Sequence, residues 1–216
     1  MLWISTASGE KVKFRRNKFL QLSSFLFLCV WCWTLIDVAD LMNWSLENIP
    51  VFILIASLIY TYKKFQFSDL SYLLILCFLS LHIYGAKFIY AHNPLGEWIR
   101  EEFSTSRNMY DRIVHFCFGL MLSYPMREVC MNRLHLSKKI SVLLPVMACL
   151  ALSALYEIVE SIFVGIFFPE QGANFLGHQG DEWDAQKDMA LATVGSLCFV
   201  LLIRFVKYRQ DRERKL

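Results

Sequence analysis

Three aspartates late in the chain are spaced so that a helix would place them on one face. They are Asp181, Asp184 and Asp188, at positions i, i+3 and i+7, and a long apolar run follows them. A carboxylate carried into membrane hydrocarbon costs about 2.5–3.5 kcal/mol at mid-bilayer on insertion scales, and less near the interface. Because such residues are costly to place, this stretch predicts a functional site.

Two other apolar segments carry residues of the same chemistry. Asp111 and His115 lie one helical turn apart at the start of one segment, and Glu157 and Glu160 lie late in another. Carboxylates with one or two imidazoles suit Mg²⁺, Mn²⁺ or Zn²⁺. A bound divalent metal could polarise a phosphoryl or acyl group and activate water. The candidate metal ligands are Asp111, His115, Glu157, Asp181, Asp184 and Asp188.

The same residues could act without a metal. Asp111 would then fix the tautomer of His115, and the pair would work as an oriented acid and base. The candidate catalytic residues are His115, Asp111 and Glu157. The set is rich in acids, and acids packed together need a cation or a proton, which favours the metal.

Structural alternatives stay open for most of these residues. Asp111, Asp181 or Asp184 could cap a helix, and Arg112 could be an ordinary interfacial arginine. Glu160 could form an ion pair with Lys87 or Arg112. A histidine alone on an apolar face, such as His82, is more often a hydrogen-bonded core residue than a ligand. Glycines 119 and 195 are expected to permit close helix packing.

The elements that must position these residues are membrane-spanning helices. Hydrophobic residues make up 56% of the 216, and only 19% are charged, whereas a soluble domain carries about 25%. Each apolar run is near or above the roughly 20 residues that cross a bilayer. The predicted spans are 19–36, 44–62, 70–91, 111–129, 140–168 and 185–206. This composition makes nucleic-acid binding improbable and predicts contact with membrane lipids.

The basic residues predict an orientation for this all-α membrane protein. Most lysines and arginines lie in alternate connections and in both terminal segments, which the positive-inside rule places in the cytoplasm. We therefore expect a basic cytoplasmic segment at 1–18, a six-helix transmembrane domain at 19–207 and a basic cytoplasmic tail at 208–216. In the longest exterior connection, Leu95, Trp98 and Phe103 favour a short interfacial helix.

Three motifs resemble one protein family. The strings are Tyr110-Asp111-Arg112-x-x-His115-Phe116-x-x-Gly119, Ser153-Ala154-x-Tyr156-Glu157-x-x-Glu160 and Phe175-Leu176-Gly177-x-Gln179-Gly180-Asp181-x-Trp183-Asp184-x-Gln186-x-Asp188-Met189. They resemble the YjdF family of bacterial inner-membrane proteins, a domain of unknown function, over roughly residues 45–205. A more distant likeness links them to VanZ-like membrane proteins. The resemblance implies a multi-pass protein of the bacterial inner membrane and supplies no activity.

The residues support three functions. The first is an enzyme of the extracytoplasmic leaflet, a metal-assisted hydrolase or transferase acting on a lipid or lipid-linked envelope precursor. The second is a small transporter whose intramembrane acids bind a proton or another cation. The third is a non-catalytic scaffold in which the polar residues only fix helix packing. A water-exposed cleft would favour the enzyme, and a polar track towards the cytoplasm would favour transport.

Overall fold

The computed structural model describes residues 13–167 and 179–213, and within them the chain is all helical. Seven α-helices and two short 3₁₀ turns, Phe14–Arg16 and Tyr90–His92, account for the regular structure of these residues. The α-helices are α1 (Lys18–Thr34), α2 (Leu41–Thr61), α3 (Asp69–Lys87), α4 (Pro94–Glu102), α5 (Tyr110–Asn132), α6 (Ile140–Phe167) and α7 (Asp184–Glu213). The predicted all-α fold is confirmed.

Local capping sets where several helices begin. The side chains of Asn17, Asp40 and Ser68 accept hydrogen bonds from the first turns of α1, α2 and α3, and so satisfy backbone donors that a helix leaves unpaired. Asp40 starts α2 at Leu41, three residues before the predicted start. Asn93 caps α4, which has Pro94 at its first position, where a missing N–H is harmless.

The chain forms two compact units, Met1–Tyr110 and Asp111–Leu216. In the first unit, α3 packs against both α1 and α2. The short helix α4 follows, and it leaves Leu95, Trp98 and Phe103 exposed. The predicted short helix in this connection is confirmed, while its position at a membrane interface stays a prediction.

In the second unit, α5 and α7 approach each other at glycines. A Cβ on Gly119 would lie 1.8 Å from the carbonyl oxygen of Ala192, and one on Gly195 would lie 2.1 Å from that of Phe116. Only glycine fits there, so the predicted role of both glycines in close packing is confirmed. One turn further along, the hydroxyls of Ser123 and Ser196 are 2.6 Å apart. The remaining helix, α6, packs along α7.

Among the described residues, four helices are long and apolar enough to cross a membrane: α2, α3, α6 and α7. Helix α1 is a shorter apolar helix, and α5 has 23 residues but is less apolar. Helices occupy all six predicted spans, while the number that cross the membrane and the orientation of the termini stay predictions. Helix α7 extends to Glu213, past the predicted end at 206 and into the predicted tail. The basic residues before 13 and the predicted end at 168 lie outside the described residues.

Candidate functional site

The site is organised around His115, which lies one turn into α5. Its side chain is buried, and its Nε2 lies 3.7 Å from Oδ1 of Asp111, four residues earlier on the same helix. This is the geometry that the Asp-x-x-x-His spacing predicts, because residues four apart stack along one face.

Helix α6 contributes two contacts, one to each ring nitrogen of His115. Oε1 of Glu157 lies 3.2 Å from Nε2, and Oγ of Ser153 lies 3.2 Å from Nδ1. Glu157 and Ser153 are four residues apart, so they reach the ring from one helical face. The hydroxyl fixes the orientation of the imidazole and turns Nε2 towards the carboxylates.

Helix α7 contributes Asp188, which is 1% exposed. One ligand atom from each of Asp111, His115 and Asp188 lies within 4.8 Å of the other two. Three atoms that share one ion at ~2.1 Å lie about 3.0–3.6 Å apart, so the three side chains would have to draw together by about 1 Å for one ion to meet all three. We call these residues the His115 cluster: Asp111, His115, Ser153, Glu157 and Asp188.

The predicted convergence of His115, Glu157 and Asp188 on one site is confirmed. All five residues of the cluster belong to the second unit, and they come from three helices. The metal-binding and catalytic roles of these residues stay predictions.

Asp181 and Asp184 lie in a separate group of ion pairs. Both accept from the guanidinium of Arg112, Asp184 at 3.4 Å, and Asp181 also accepts from Nζ of Lys187 at 2.6 Å. We call Arg112, Asp181, Asp184 and Lys187 the Arg112 network. The role of Asp181 and Asp184 as metal ligands stays a prediction. These ion pairs do not favour it, because they already engage the two carboxylates.

Asp181 is held as a carboxylate by its neighbours. The hydrogen bond from Lys187 is the main cause that lowers the pKa of Asp181 from its ordinary value of 3.8 to about 2. Burial is the second-largest effect and opposes this shift, while weaker contributions from the hydrogen bonds of the Trp183 backbone and Arg112 lower the pKa further. The Asp181 side chain accepts a hydrogen bond from the backbone N–H of Trp183 and so closes a turn just before α7. This local role is close to the helix-capping alternative for Asp181.

The other buried histidine, His82, is held in the first unit by groups of a different kind. Its Nε2 lies 2.8 Å from the backbone carbonyl oxygen of Glu47, and its Nδ1 lies 2.7 Å from the hydroxyl of Tyr90. A carboxylate oxygen of Glu47 is also within 3.7 Å. His82 is therefore a hydrogen-bonded core histidine, as the sequence led us to expect.

Two features of the site were not predicted. Ser153 was not a candidate, although its position four residues before Glu157 places it on the same helical face and could have signalled its role. The pairing of Arg112 with Asp181 and Asp184 joins residues about 70 positions apart, so no local spacing could have revealed it.

The fold and the site define a class of protein, a helical membrane protein with a buried cluster of acids around a histidine. Residues 19–209 match a family described as a predicted membrane protein (DUF2238), and the chain belongs to that family. It is 31% identical over 194 residues to the inner membrane protein YjdF of Escherichia coli (strain K12), covering 89% of this chain and 92% of that protein. No solved structure matches.

These comparisons confirm the resemblance to the YjdF family. The protein is a multi-pass protein of the bacterial inner membrane, in contact with membrane lipids. The more distant likeness to VanZ-like proteins is not among the matches and stays a prediction.

Proposed function

We propose that this protein is a divalent-metal-dependent membrane enzyme, a hydrolase or transferase that acts on a lipid or lipid-linked envelope precursor. The observation that carries the proposal is the His115 cluster. Nε2 of the imidazole faces the carboxylates of Asp111 and Glu157, and a carboxylate oxygen of Asp188 lies within 4.8 Å of ligand atoms of His115 and Asp111. His115 and Asp188 are both buried.

The charge of the cluster supports a bound cation. Three carboxylates brought together away from water repel one another unless a cation or protons neutralise them. A single proton on His115 would offset one of the three negative charges. A divalent ion would offset two while also satisfying several oxygen lone pairs, so it stabilises this arrangement better.

The donor atoms suit Mg²⁺, Mn²⁺ or Zn²⁺, because these ions accept carboxylate oxygens together with an imidazole nitrogen. Asp111, His115 and Asp188 would hold the ion. Glu157, beside the same nitrogen, would accept the proton of the attacking water. The resulting hydroxide would form a bond to phosphorus or to an acyl carbon, the bond to the leaving oxygen would break, and that oxygen would take up the proton. A transferase would use an alcohol in place of the water.

The position of the cluster along the helices supports a lipid substrate. Asp111 is the second residue of α5 and Asp188 is the fifth of α7, so both lie within ~8 Å of a helix start at 1.5 Å per residue. Helix α7 is long and apolar enough to cross the membrane. Its first turns would then lie near the headgroup region, where the reactive bonds of lipids and lipid-linked precursors are found.

Metal binding is tested on the full-length protein, purified in detergent and stripped with EDTA. When the ion is added back, we expect a rise in Tm, because a ligand of the native state stabilises it, and about one Mg²⁺, Mn²⁺ or Zn²⁺ retained per chain by elemental analysis. Asp188→Asn should abolish both signals. Glu47→Gln, an acid beside the other buried histidine, is the matched control and should keep both. A wild type with neither signal would contradict the metal site.

The substrate is tested by comparing the lipids and lipid-linked precursors of a deletion strain with those of the same strain expressing wild type, Asp188→Asn or Glu157→Gln. We expect one species to accumulate in the deletion strain and in both variants. Normal profiles in both variants would favour the scaffold. Loss of function in a protein that binds no metal would favour proton-coupled transport.

A further inference from the structure

The first unit contains a cavity that the proposed function does not use. It has a volume of about 480 Å³, within the ~300–1,000 Å³ range of small-molecule pockets, and is open along one side. Its walls come from the first 3₁₀ turn, α1, α2 and α3, and they are almost entirely apolar.

The length of the cavity matches one leaflet of a membrane. Along α1 its lining runs from Leu20 to Trp31, a rise of eleven residue steps, or ~16 Å at 1.5 Å per step. Half of a ~30 Å hydrocarbon core is ~15 Å. A groove of this length, apolar and open to the side, has the dimensions of one acyl chain inserted to the middle of the bilayer.

The charged end of the cavity indicates which lipid it would take. Lys63 lines this end together with Phe14 and Tyr62, and Arg15 and Arg16 follow Phe14 in the same exposed turn. An acid on this side, Asp69, accepts a hydrogen bond from Asn17. The local charge is therefore positive beside an apolar groove, the complement of a phosphate group above an acyl chain.

We propose that this cavity is a binding site for one anionic diacyl phospholipid, with an acyl chain between α1 and α2 and its phosphate at Lys63. Lys63 lies in a connection that the positive-inside rule places in the cytoplasm, so the lipid comes from the cytoplasmic leaflet. The site is independent of the His115 cluster and of the proposed reaction.

The acyl-chain part is tested by filling the cavity. Ser24 lines it, so Ser24→Phe adds a ring where the chain would lie. Ser57→Phe makes the same change on α2 at an exposed position outside the cavity, and is the matched control. Full-length protein is titrated with palmitoyl-oleoyl phosphatidylglycerol in detergent, and retained lipid is counted by native mass spectrometry.

We expect wild type and Ser57→Phe to retain one phosphatidylglycerol, and Ser24→Phe to bind it about tenfold more weakly or worse, since each methylene excluded from an apolar site weakens binding. Leu28→Trp, at the exposed side of the cavity, is a second filler if Ser24→Phe does not fold. Equal retention by wild type and a folded filler would overturn the proposal. The proposal would also be overturned if a cavity-filling variant kept its lipid but no longer formed a dimer that wild type forms. That result would identify a second copy of the chain as the occupant of the cavity.

The phosphate part is tested with charge. Lys63→Gln should weaken phosphatidylglycerol binding about fivefold, because one lysine near an anionic surface contributes about that factor. Phosphatidylcholine should be weakened less, because its choline cation offsets part of the attraction between its phosphate and Lys63. Lys64→Gln is the control, because that side chain turns to Tyr60 and does not line the cavity. Equal binding of the two lipids by wild type, unaffected by Lys63→Gln, would overturn the assignment of the headgroup.

Discussion

Among the residues that the structure describes, two histidines are buried, His82 and His115. The surroundings of their Nδ1 atoms are alike, and those of their Nε2 atoms differ. In both rings a hydroxyl contacts Nδ1, from Tyr90 and from Ser153 respectively. Nε2 of His82 lies 2.8 Å from a backbone carbonyl oxygen and 3.7 Å from one carboxylate, that of Glu47. Nε2 of His115 faces two carboxylates, Asp111 and Glu157, and a third, Asp188, lies close to the ring. The first arrangement satisfies a polar side chain within a packed core, and the second gathers negative charge around one nitrogen. The comparison separates a histidine held mainly by neutral groups from one with three carboxylates nearby, and the proposed metal site rests on the second.

The largest expected effect separates the two histidines by metal binding. His115→Gln removes the nitrogen that faces the carboxylates, so the rise in Tm on adding a divalent ion should disappear. His82→Gln should keep that rise and instead lower the Tm of the metal-free protein. Thermal unfolding with and without the ion measures both. An equal loss of metal response in the two variants would remove the distinction between the sites.

A second prediction concerns the glycine contact that holds α7 against α5. Gly119→Ala would place a methyl group against the Ala192 carbonyl. We therefore expect the free energy of unfolding to fall by about 3 kcal/mol or more, at the upper end of the range for overpacked cores. Because α7 must move away, the metal response should weaken as well. Both effects are measured by unfolding in detergent with and without the ion.

Two other glycines serve as controls for this change. Gly165→Ala, where a Cβ meets nothing within 4 Å, should alter neither property. Gly85→Ala meets the ring of Tyr90, so it should disturb the His82 site and leave the metal response intact. A folded Gly119→Ala protein with full metal affinity would show that the close contact does not position Asp188.

A third prediction compares the two hydroxyls. Ser153→Ala should lower metal affinity about 10–100-fold, the usual cost of losing a group that orients a ligating histidine. Tyr90→Phe should leave metal affinity unchanged and cost about 1 kcal/mol of stability, because the hydroxyl's contacts with Nδ1 and the backbone carbonyl oxygen of His82 are lost. Calorimetric titration and thermal unfolding measure the two quantities. Unchanged metal affinity in Ser153→Ala would reduce Ser153 to a packing residue.

The smallest expected effect tests whether the Arg112 network is separate from the His115 cluster. The pKa of Asp181 is lowered to about 2, so its ion pairs stabilise the protein above about pH 4, and this stabilisation is lost as the pH falls through about 2. Wild type should exceed Asp181→Asn in Tm near neutral pH, and the difference should vanish at the acid end. The difference should be small, because the side chain is partly exposed.

The same variant, Asp181→Asn, is also tested for metal binding by its rise in Tm on adding the divalent ion. If the network only joins the start of α7 to α5, the variant should respond to the metal as wild type does. Loss of that response would return Asp181 to the set of metal ligands that the sequence suggested.

Part of the site could be predicted from local spacing. Asp111 and His115 share a face because they are four residues apart, and the same rule places Ser153 with Glu157. The expectation that His115, Glu157 and Asp188 meet came from their depth along apolar helices, and the structure agrees. Spacing could not show that Asp181 and Asp184 pair with Arg112, since the position of α7 along the axis of α5 decides which acids lie opposite which partner.

The sequence by itself determined that this is an all-helical membrane protein, because long apolar runs can satisfy their backbone hydrogen bonds in lipid only as helices. It also determined which residues are costly enough in that setting to suggest a site. Only the tertiary structure decided that Asp188 joins His115 while Asp181 and Asp184 do not. The reason is that the glycine contact between α5 and α7 fixes both the separation of those helices and their position along each other, which sets Asp188 about one turn beyond Asp184. A difference of four residues along α7 is then enough to separate a buried carboxylate beside His115 from one held by Arg112.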